Sequence, residues 1–542
     1  MFSATSFSDA VDKMSVQIGI YALAAFSVLF IVCALIFDRS RRYLSDIPTV
    51  GRPSLPVFSY IGVIRYLANA PSIIHEGYTK HKGSSFKFAE SGRWRVLLTS
   101  PEAVEELARA PEDVLSFHAA ANDSIQLAYT LGPNIERDPY HIPLIRNQLV
   151  RNVPRMIDDI RDEVVCAFRD EIQPHDARNG WISVQLKDVV AHIVCRVANR
   201  AFVGLPLCRN TDYLAVNTGF TMDVVLGSAL IKHFPSFLKP FVAKFCTNIP
   251  ASIDRIVRHL EPIIPERLRV AAESKLSGRK EGNSPNDLLQ WLIESAPEGP
   301  ERTVPALALR ILVLNFAAMH TTSTVLTHTL YYLAAHPEHA AILRDEVEGV
   351  VQDEGWSKAA LGNMRLVDSF LKEVGRVTGM GAIAMNRKAL RDFTFLDGTF
   401  IPKGTFVAAA ARPIHWDGEH YANPEAFDPW RFATMSNRNS KTGEQLVNTN
   451  DHYLLFGHGR HAWCVTQKAH CLVTDRRGLC SPGRFFAATL LKLMLAHVVA
   501  TYDVKFADNM EAHAVPPPTW VSLSMVPNRS AEVLFRERRS KH

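Results

Sequence analysis

The sequence predicts a mainly α fold with minor β structure, preceded by one N-terminal transmembrane helix. Three observations carry that expectation. Apolar residues recur at helical spacing through most of the chain beyond Pro101; period-two alternation is confined to short stretches; and Ile18 to Phe37 is a continuous apolar run.

In chain order, Ile18 to Phe37 is apolar except for Ser27 and tolerant residues such as Gly19 and Tyr21. Its length suffices for roughly 30 Å of hydrocarbon as a helix. No small-residue cleavage site follows, and Arg39, Arg41 and Arg42 come at once, whereas a signal peptide carries its charge before the apolar region. The positive-inside rule then puts residues 1–17 on the lumenal side and the body in the cytosol. Residues 38–56, basic and then rich in proline and glycine, read as a stiff linker, and residues 57–542 as one large domain without repeats.

Within that domain Ser85 to Thr99 alternates like a short hairpin around Ser91-Gly92. Glu102 to Arg109, Leu144 to Phe168, Val184 to Val203 and Ile253 to Glu273 read as helices, and Ser277 to Asn286 as an exposed loop. Arg302 to Leu333 reads as a long helix, with Ala306, Leu309, Leu312, Val313 and Phe316 apolar and Ala317-Ala-Met-His320-Thr321-Thr322-Ser323 at its middle. Small residues there let a flat ligand approach the backbone, and hydroxyls at helical depth bond a carbonyl one turn back or a ligand. Phe393 to Gly404 is hairpin-like, with Asp397-Gly398 at its turn.

Composition narrows the function. The chain of 542 residues is 47% hydrophobic and 21% charged, so it can bury a large core. A net charge of +5 without a basic, aromatic-interleaved stripe argues against nucleic acid as a partner. Eight scattered cysteines do not form a secreted disulfide framework.

The chemistry concentrates near the C-terminus. Phe456-Gly-His-Gly-Arg-His-Ala462 is followed by a run from Trp463 to Leu479 and then by Cys480-Ser-Pro-Gly-Arg-Phe-Phe-Ala487. Without the run, this is a glycine-rich loop delivering one cysteine to a helix N-terminus, an arrangement that holds haem iron by a thiolate. The two halves resemble the haem loop of the cytochrome P450 family, Phe-x-x-Gly-x-(Arg or His)-x-Cys-x-Gly. Phe456, Gly459 and His461 stand in register, and Pro482 to Ala487 matches the continuation. The join departs from the pattern, because Trp463 stands where the cysteine belongs and the nearest cysteines are Cys464 and Cys480.

Three readings of the run stay open. It is a tolerated surface insertion; it is a zinc site of irregular spacing from Cys464, His470, Cys471 and Cys480; or it is a retained intron. For the last, the TGG codon of Trp463 with Cys464-Val465 allows a 5′ boundary TG|GTGTGT. A Ser481 codon AG(C/T) allows a 3′ boundary AG|C that restores one cysteine before Pro482, and Thr474-Asp475 can encode a branch-point-like CTGAC.

The resemblance assigns further residues. It makes the long helix the one above the haem, with Thr321 as the threonine that manages protons for oxygen and His320 in the place of the usual acid; histidine can relay protons near neutral pH. Glu373 and Arg376, one helical turn apart, and Arg431 in Phe427-Asp-Pro-Trp-Arg-Phe432 resemble the family's Glu-x-x-Arg and Pro-x-Arg-Phe elements, a structural ion-pair network beneath the haem. Arg387 and His461 resemble haem-propionate ligands. His141 and Arg146 sit where the family has a Trp-x-x-x-Arg helix, although no tryptophan is present.

What this implies is a cytochrome P450-like fold and a haem-thiolate monooxygenase, its iron held by Cys480 or alternatively Cys464. Electrons would come from a separate NADPH-cytochrome P450 reductase, with cytochrome b5 beside it, since no nucleotide-binding domain is attached. The implied location is the endoplasmic reticulum membrane. The central helix, the Phe-Asp-Pro-Trp-Arg-Phe element and the haem loop look most like fungal secondary-metabolism members, including those similar to kaurene-type oxidases, which implies a lipophilic terpenoid substrate. Two alternatives remain: a haem enzyme rearranging its substrate without consuming oxygen, given the missing acid, and a non-catalytic membrane protein, given the interrupted loop.

Overall fold

The computed structural model describes residues 44–51, 59–90, 93–173, 180–277, 284–439, 445–459, 483–507 and 513–538. The expected anchor at 18–37, His461, Cys464 and Cys480 lie outside the described residues.

The chain folds as a helical body beside a smaller sheet. Helix α1 (Ser59–Lys80) bends at Asn69, whose φ of −155° leaves the helical region two residues before Pro71. Strands β1 (Ser85–Glu90) and β2 (Arg93–Leu98) form the expected hairpin, with Ser85 opposite Leu98. Helix α2 (Pro101–Arg109) is capped by the Ser100 hydroxyl, which accepts from the Ala103 amide. Strand β3 (Leu115–Ser116) leads into α3 (Phe117–Ile125), capped in the same way by Ser116.

Two expected helices differ from the sequence reading. Residues from Val184 begin in strand β4 (Ile182–Gln185), which follows α4 (Val150–Glu171); the helix, α5, runs only over Leu186–Phe202. Strand β4 forms because β12 (Glu532–Glu537) pairs with it, a contact over 349 residues of sequence that local periodicity cannot reveal. After α6 (Thr211–Ile231) and α7 (Lys239–Phe245), the expected helix from Ile253 to Glu273 is two, α8 (Ile249–Leu260) and α9 (Ile264–Ser277). Pro262 and Pro265 cannot donate to the preceding turn; Pro262 falls inside the break between Leu260 and Ile264, and Pro265 sits in the first turn of α9.

The central element is α10 (Val304–Ala335), 32 residues long. Pro305 opens it, and Pro337 starts α11 (Pro337–Glu354) after His336. Four of its threonines are accommodated by back-bonding: Thr321, Thr324, Thr327 and Thr329 donate to the carbonyls of Ala317, His320, Ser323 and Val325, so these hydroxyls enter the core without unsatisfied protons. Around α10 pack α5, α8, α12 (Arg365–Thr378) and α13 (Gly483–Thr501). In α13, Leu490, Leu491, Leu493, Met494 and Leu495 are all buried, and each such side chain contributes about 1.5–3 kcal/mol.

The five-stranded sheet has the order β1-β2-β8-β5-β3, with β5 at Ala384–Ala389 and β8 at Phe406–Ala409. Strand β2 runs parallel to β8, and the other neighbours are antiparallel. Between β5 and β8 lies the small hairpin β6 (Phe393–Thr394) and β7 (Phe400–Ile401), where the sequence places it. Strand β9 (Tyr502–Lys505) pairs with β12, and β10 (Thr519–Val521) with β11 (Ser524–Val526).

Candidate active site

A cavity of about 380 Å³ lies between α10, α3, β5, the Leu454–Gly457 loop and α13. Its walls are mostly apolar, with Phe117 and Ala121 from α3, Phe316 and Val325 from α10, and Ile383 before β5. Thr321 and Thr322 line it as well, and the Thr321 hydroxyl donates to the Ala317 carbonyl at 3.1 Å.

Arg387 reaches the same cavity by a local device. Strand β5 shifts register against β8 between Ala384 and Arg387, and Met385 holds a φ of +58°, rare for a residue with a side chain. Beyond this irregularity Arg387 is buried, with Nη1 donating to the Asn386 carbonyl at 2.9 Å and the guanidinium 5.7 Å from the Phe117 ring. Asn386 is itself held by Arg95, which donates Nη1 to its Oδ1 at 2.6 Å.

The haem-loop segment follows from a neighbouring buried network. Glu373 accepts from Arg376 Nε and Nη2, both at 2.8 Å, and from Arg431 Nε at 3.1 Å. The remaining donors of both guanidinium groups bind backbone carbonyls, Arg376 those of His415 and Pro424, Arg431 that of Ala422. Next to them His415 accepts the Leu454 amide at Nε2, 2.7 Å away. Leu454 then leads to Phe456, Gly457 and Gly459; the two glycines have φ of 72° and 75°. A Cβ on Gly459 would lie 2.6 Å from the Ala108 carbonyl, so only glycine lets the loop lie against α2. His458 fixes the same corner by a 2.6 Å contact with Glu105.

Two buried histidines give this region a pH dependence. His415 is pushed down to about 3 by burial and then by the charge of Arg376. His141 is pushed down to about 3 by burial and then by Arg310. The unfolded chain takes up these protons near pH 6.5 and the folded chain does not, so stability is full above 6.5 and is lost as pH falls towards 3. Each histidine is expected to cost about 1.4 kcal/mol per pH unit below 6.5. Thermal melts between pH 7.5 and 5 check this, and an unchanged midpoint across that interval contradicts it.

The sequence-predicted residues divide accordingly. Thr321, Arg387 and Phe456 meet in one cavity, Gly459 lies at the end of its loop, and Glu373, Arg376 and Arg431 meet in one ion-pair network. His320 is not in the cavity wall. One residue before Thr321, it is turned by the helical step and its side chain is exposed. His141 is not in the wall either. Its Nδ1 lies 2.8 Å from Arg310, itself paired with Glu301 at 2.6 Å, because that buried cation needs a second acceptor. Arg146 lies in a π-helical turn, Ile145–Leu149, also away from the wall, and its buried Nε finds no partner among the described residues. Phe117, Phe316 and Asn386 were not legible as site residues. Nothing in their local sequence distinguishes them from core or strand positions.

The residues fit a flat, dianionic macrocycle. Apolar side chains line the chamber, Arg387 offers a cation to a carboxylate there, and the chain leaves Gly457 and Gly459 for residues 460–482. Both flanks of residues 460–482 border this chamber, Gly457 on one side and Ala487 on the other. The site is that of a haem-thiolate protein.

The comparisons agree. The cytochrome P450 family model matches residues 49–468, ending inside the anomalous run. The chain is 39% identical to cytochrome P450 monooxygenase 110 of Postia placenta over 95% of this chain and 98% of that protein. It is 33% identical to the monooxygenase CYP512U6 of Ganoderma lucidum over 91% and 92%. Among solved structures, retinoic acid bound cyanobacterial CYP120A1 superposes with a TM-score of 0.61 at 18% identity, covering 88% of this chain and 96% of that one. The chain belongs to the cytochrome P450 family and is a monooxygenase whose cofactor is haem iron with a cysteine thiolate.

Proposed function

We propose that this monooxygenase hydroxylates or oxidises a lipophilic secondary metabolite of terpenoid type, with O2 and with electrons from an NADPH-cytochrome P450 reductase, cytochrome b5 being a second donor. The observation that carries the substrate class is the apolar chamber between Phe117, Phe316 and Ile383, in which Thr321 and Thr322 are the polar residues on the α10 wall. The thiolate-ligated haem supplies activation of O2 for insertion into a C–H bond. The chain supplies the rest. The phenylalanines orient an apolar substrate and exclude water. Thr321 Oγ1, its proton directed to Ala317, keeps lone pairs toward the chamber, where it accepts and passes a proton. Arg387 would hold a propionate.

The reading places the enzyme in the endoplasmic reticulum membrane, anchored by residues 18–37. In its support, Leu226, Phe237, Phe241 and Phe245 form an exposed apolar surface over the end of α6 and α7, with Phe237 and Phe245 each 72% exposed. Three described helices are long and apolar enough to cross a bilayer, but α13, the most enclosed, has 83% of its apolar window buried in the domain.

Thr321→Val tests the proton role. Product formed per O2 consumed is expected to fall about 100-fold while NADPH oxidation continues; unchanged product yield removes Thr321 from that role. A panel of terpenoids, polyketides and fatty acids scored by the Soret shift tests the substrate. Shifts with fatty acids or polyketides alone end the terpenoid assignment.

A further inference from the structure

Away from the chamber, where α10 gives way to α11, three side chains converge: His336, Glu338 and His513. His336 is the residue between the two helices, Glu338 is in the first turn of α11, and His513 arrives from the C-terminal segment, 177 residues later, with a φ of +62°. The Nδ1 atoms of His336 and His513 are 3.1 Å apart, and Glu338 Oε1 is 3.3 Å from the first and 3.9 Å from the second. Around a tetrahedral zinc with bonds of about 2.0–2.1 Å, neighbouring donors stand about 3.3–3.4 Å apart. Two of the three separations are already close to that edge, and the third closes when the exposed His513 ring turns out of its stack on His336.

We propose that His336, Glu338 and His513 form a binding site for a divalent transition-metal ion of the zinc class, with water completing the shell. The three donor distances carry it. His336 stacks on Phe427 at 5.7 Å and on His513 at 4.9 Å between centroids, so its ring is held by packing, and the exposed His513 ring swings out of the stack to bring its in-plane Nδ1 lone pair onto the ion. His339 stacks on His336 at 5.4 Å, with Nε2 3.8 Å from Glu338 Oε1. Two imidazoles and a carboxylate are the donor set of many zinc sites.

The site would tie two parts of the molecule. From His513 the chain runs to β10 and β11, where the Leu523 carbonyl accepts the Ala382 amide at 2.8 Å, and Met380 and Ile383 on either side line the haem chamber. Nearby, Tyr331 of α10 donates to the Asn528 carbonyl at 2.9 Å. A metal at His513 therefore fastens the strand segment flanking the chamber to the end of the helix above it.

The test is a calorimetric titration of chelator-stripped full-length protein with zinc chloride. One ion per chain with a Kd of about 1 µM or tighter is expected. His336→Ala and His513→Ala should each weaken it at least about 100-fold, and Glu338→Gln, which keeps the fold and removes the charge, should weaken it too. The pair His470→Ala with Cys471→Ser, which disrupts the other zinc set, should leave the affinity unchanged. Binding only in the millimolar range, or binding lost with the second pair but kept in His513→Ala, overturns the proposal.

Discussion

Replacing residues 463–481 by one cysteine is expected to raise haem incorporation about tenfold over the chain as written, seen as a thiolate-type Soret band in the reduced, carbon monoxide-bound difference spectrum. Both flanks border the same chamber, so both versions close the same gap. As written, 23 residues lie between Gly459 and Gly483; the shortened loop has Arg460, His461, Ala462, the cysteine and Pro482. That is about two doublings of loop length, worth about 1.3 kcal/mol, or roughly tenfold, before any effect on ligand geometry. Changing the restored cysteine to serine should abolish the band. Equal bands from both versions would mean that Cys480 or Cys464 ligates iron through the run, and a serine at each would say which. Sequencing the transcript across the junction asks the same question of the cell, and a pool always containing these codons removes the intron reading.

Glu373→Ala is expected to destabilise the domain by about 3–5 kcal/mol, because it leaves two buried guanidinium groups without their carboxylate. Glu373 and Arg376 are fully buried and Arg431 nearly so. The loss should be local first. Arg376 and Arg431 hold the carbonyls of His415, Ala422 and Pro424, and His415 in turn holds the Leu454 amide. Hydrogen exchange should therefore quicken at Leu454 to Gly457 before the α10 core opens. Equal protection there in variant and parent would show that the network does not support the loop. Arg376→Lys should recover little, since one ammonium cannot replace both the paired contact with Glu373 and the carbonyl contacts.

The parts legible in sequence were those whose cause is local. The β1–β2 hairpin showed in its alternation and turn, α10 in its long apolar face, and the network in two short motifs about fifty residues apart. What escaped notice depended on distant partners. Strand β4 exists because β12 pairs with it, and the parallel β2–β8 ladder joins segments some 300 residues apart. His141 turned to Arg310 for a reason visible only when Glu301 and Arg310 are seen buried together. His320 stands one helical step from Thr321, and sequence adjacency concealed that the two face different neighbours. The break at Pro262 and Pro265 is the exception, a local signal that the apolar periodicity on both sides masked.

The burial of α13 bears on how long this protein lasts in a cell. That helix is seated in the core immediately after the anomalous run, as the Glu373 network is seated before it, so the elements that make the domain hold together are separate from the cysteine that makes it react. Degradation machinery reads exposed apolar core and slack backbone rather than a misplaced sulfur. A population carrying the long loop would then persist beside the short-loop form, and total protein would be a poor gauge of working enzyme.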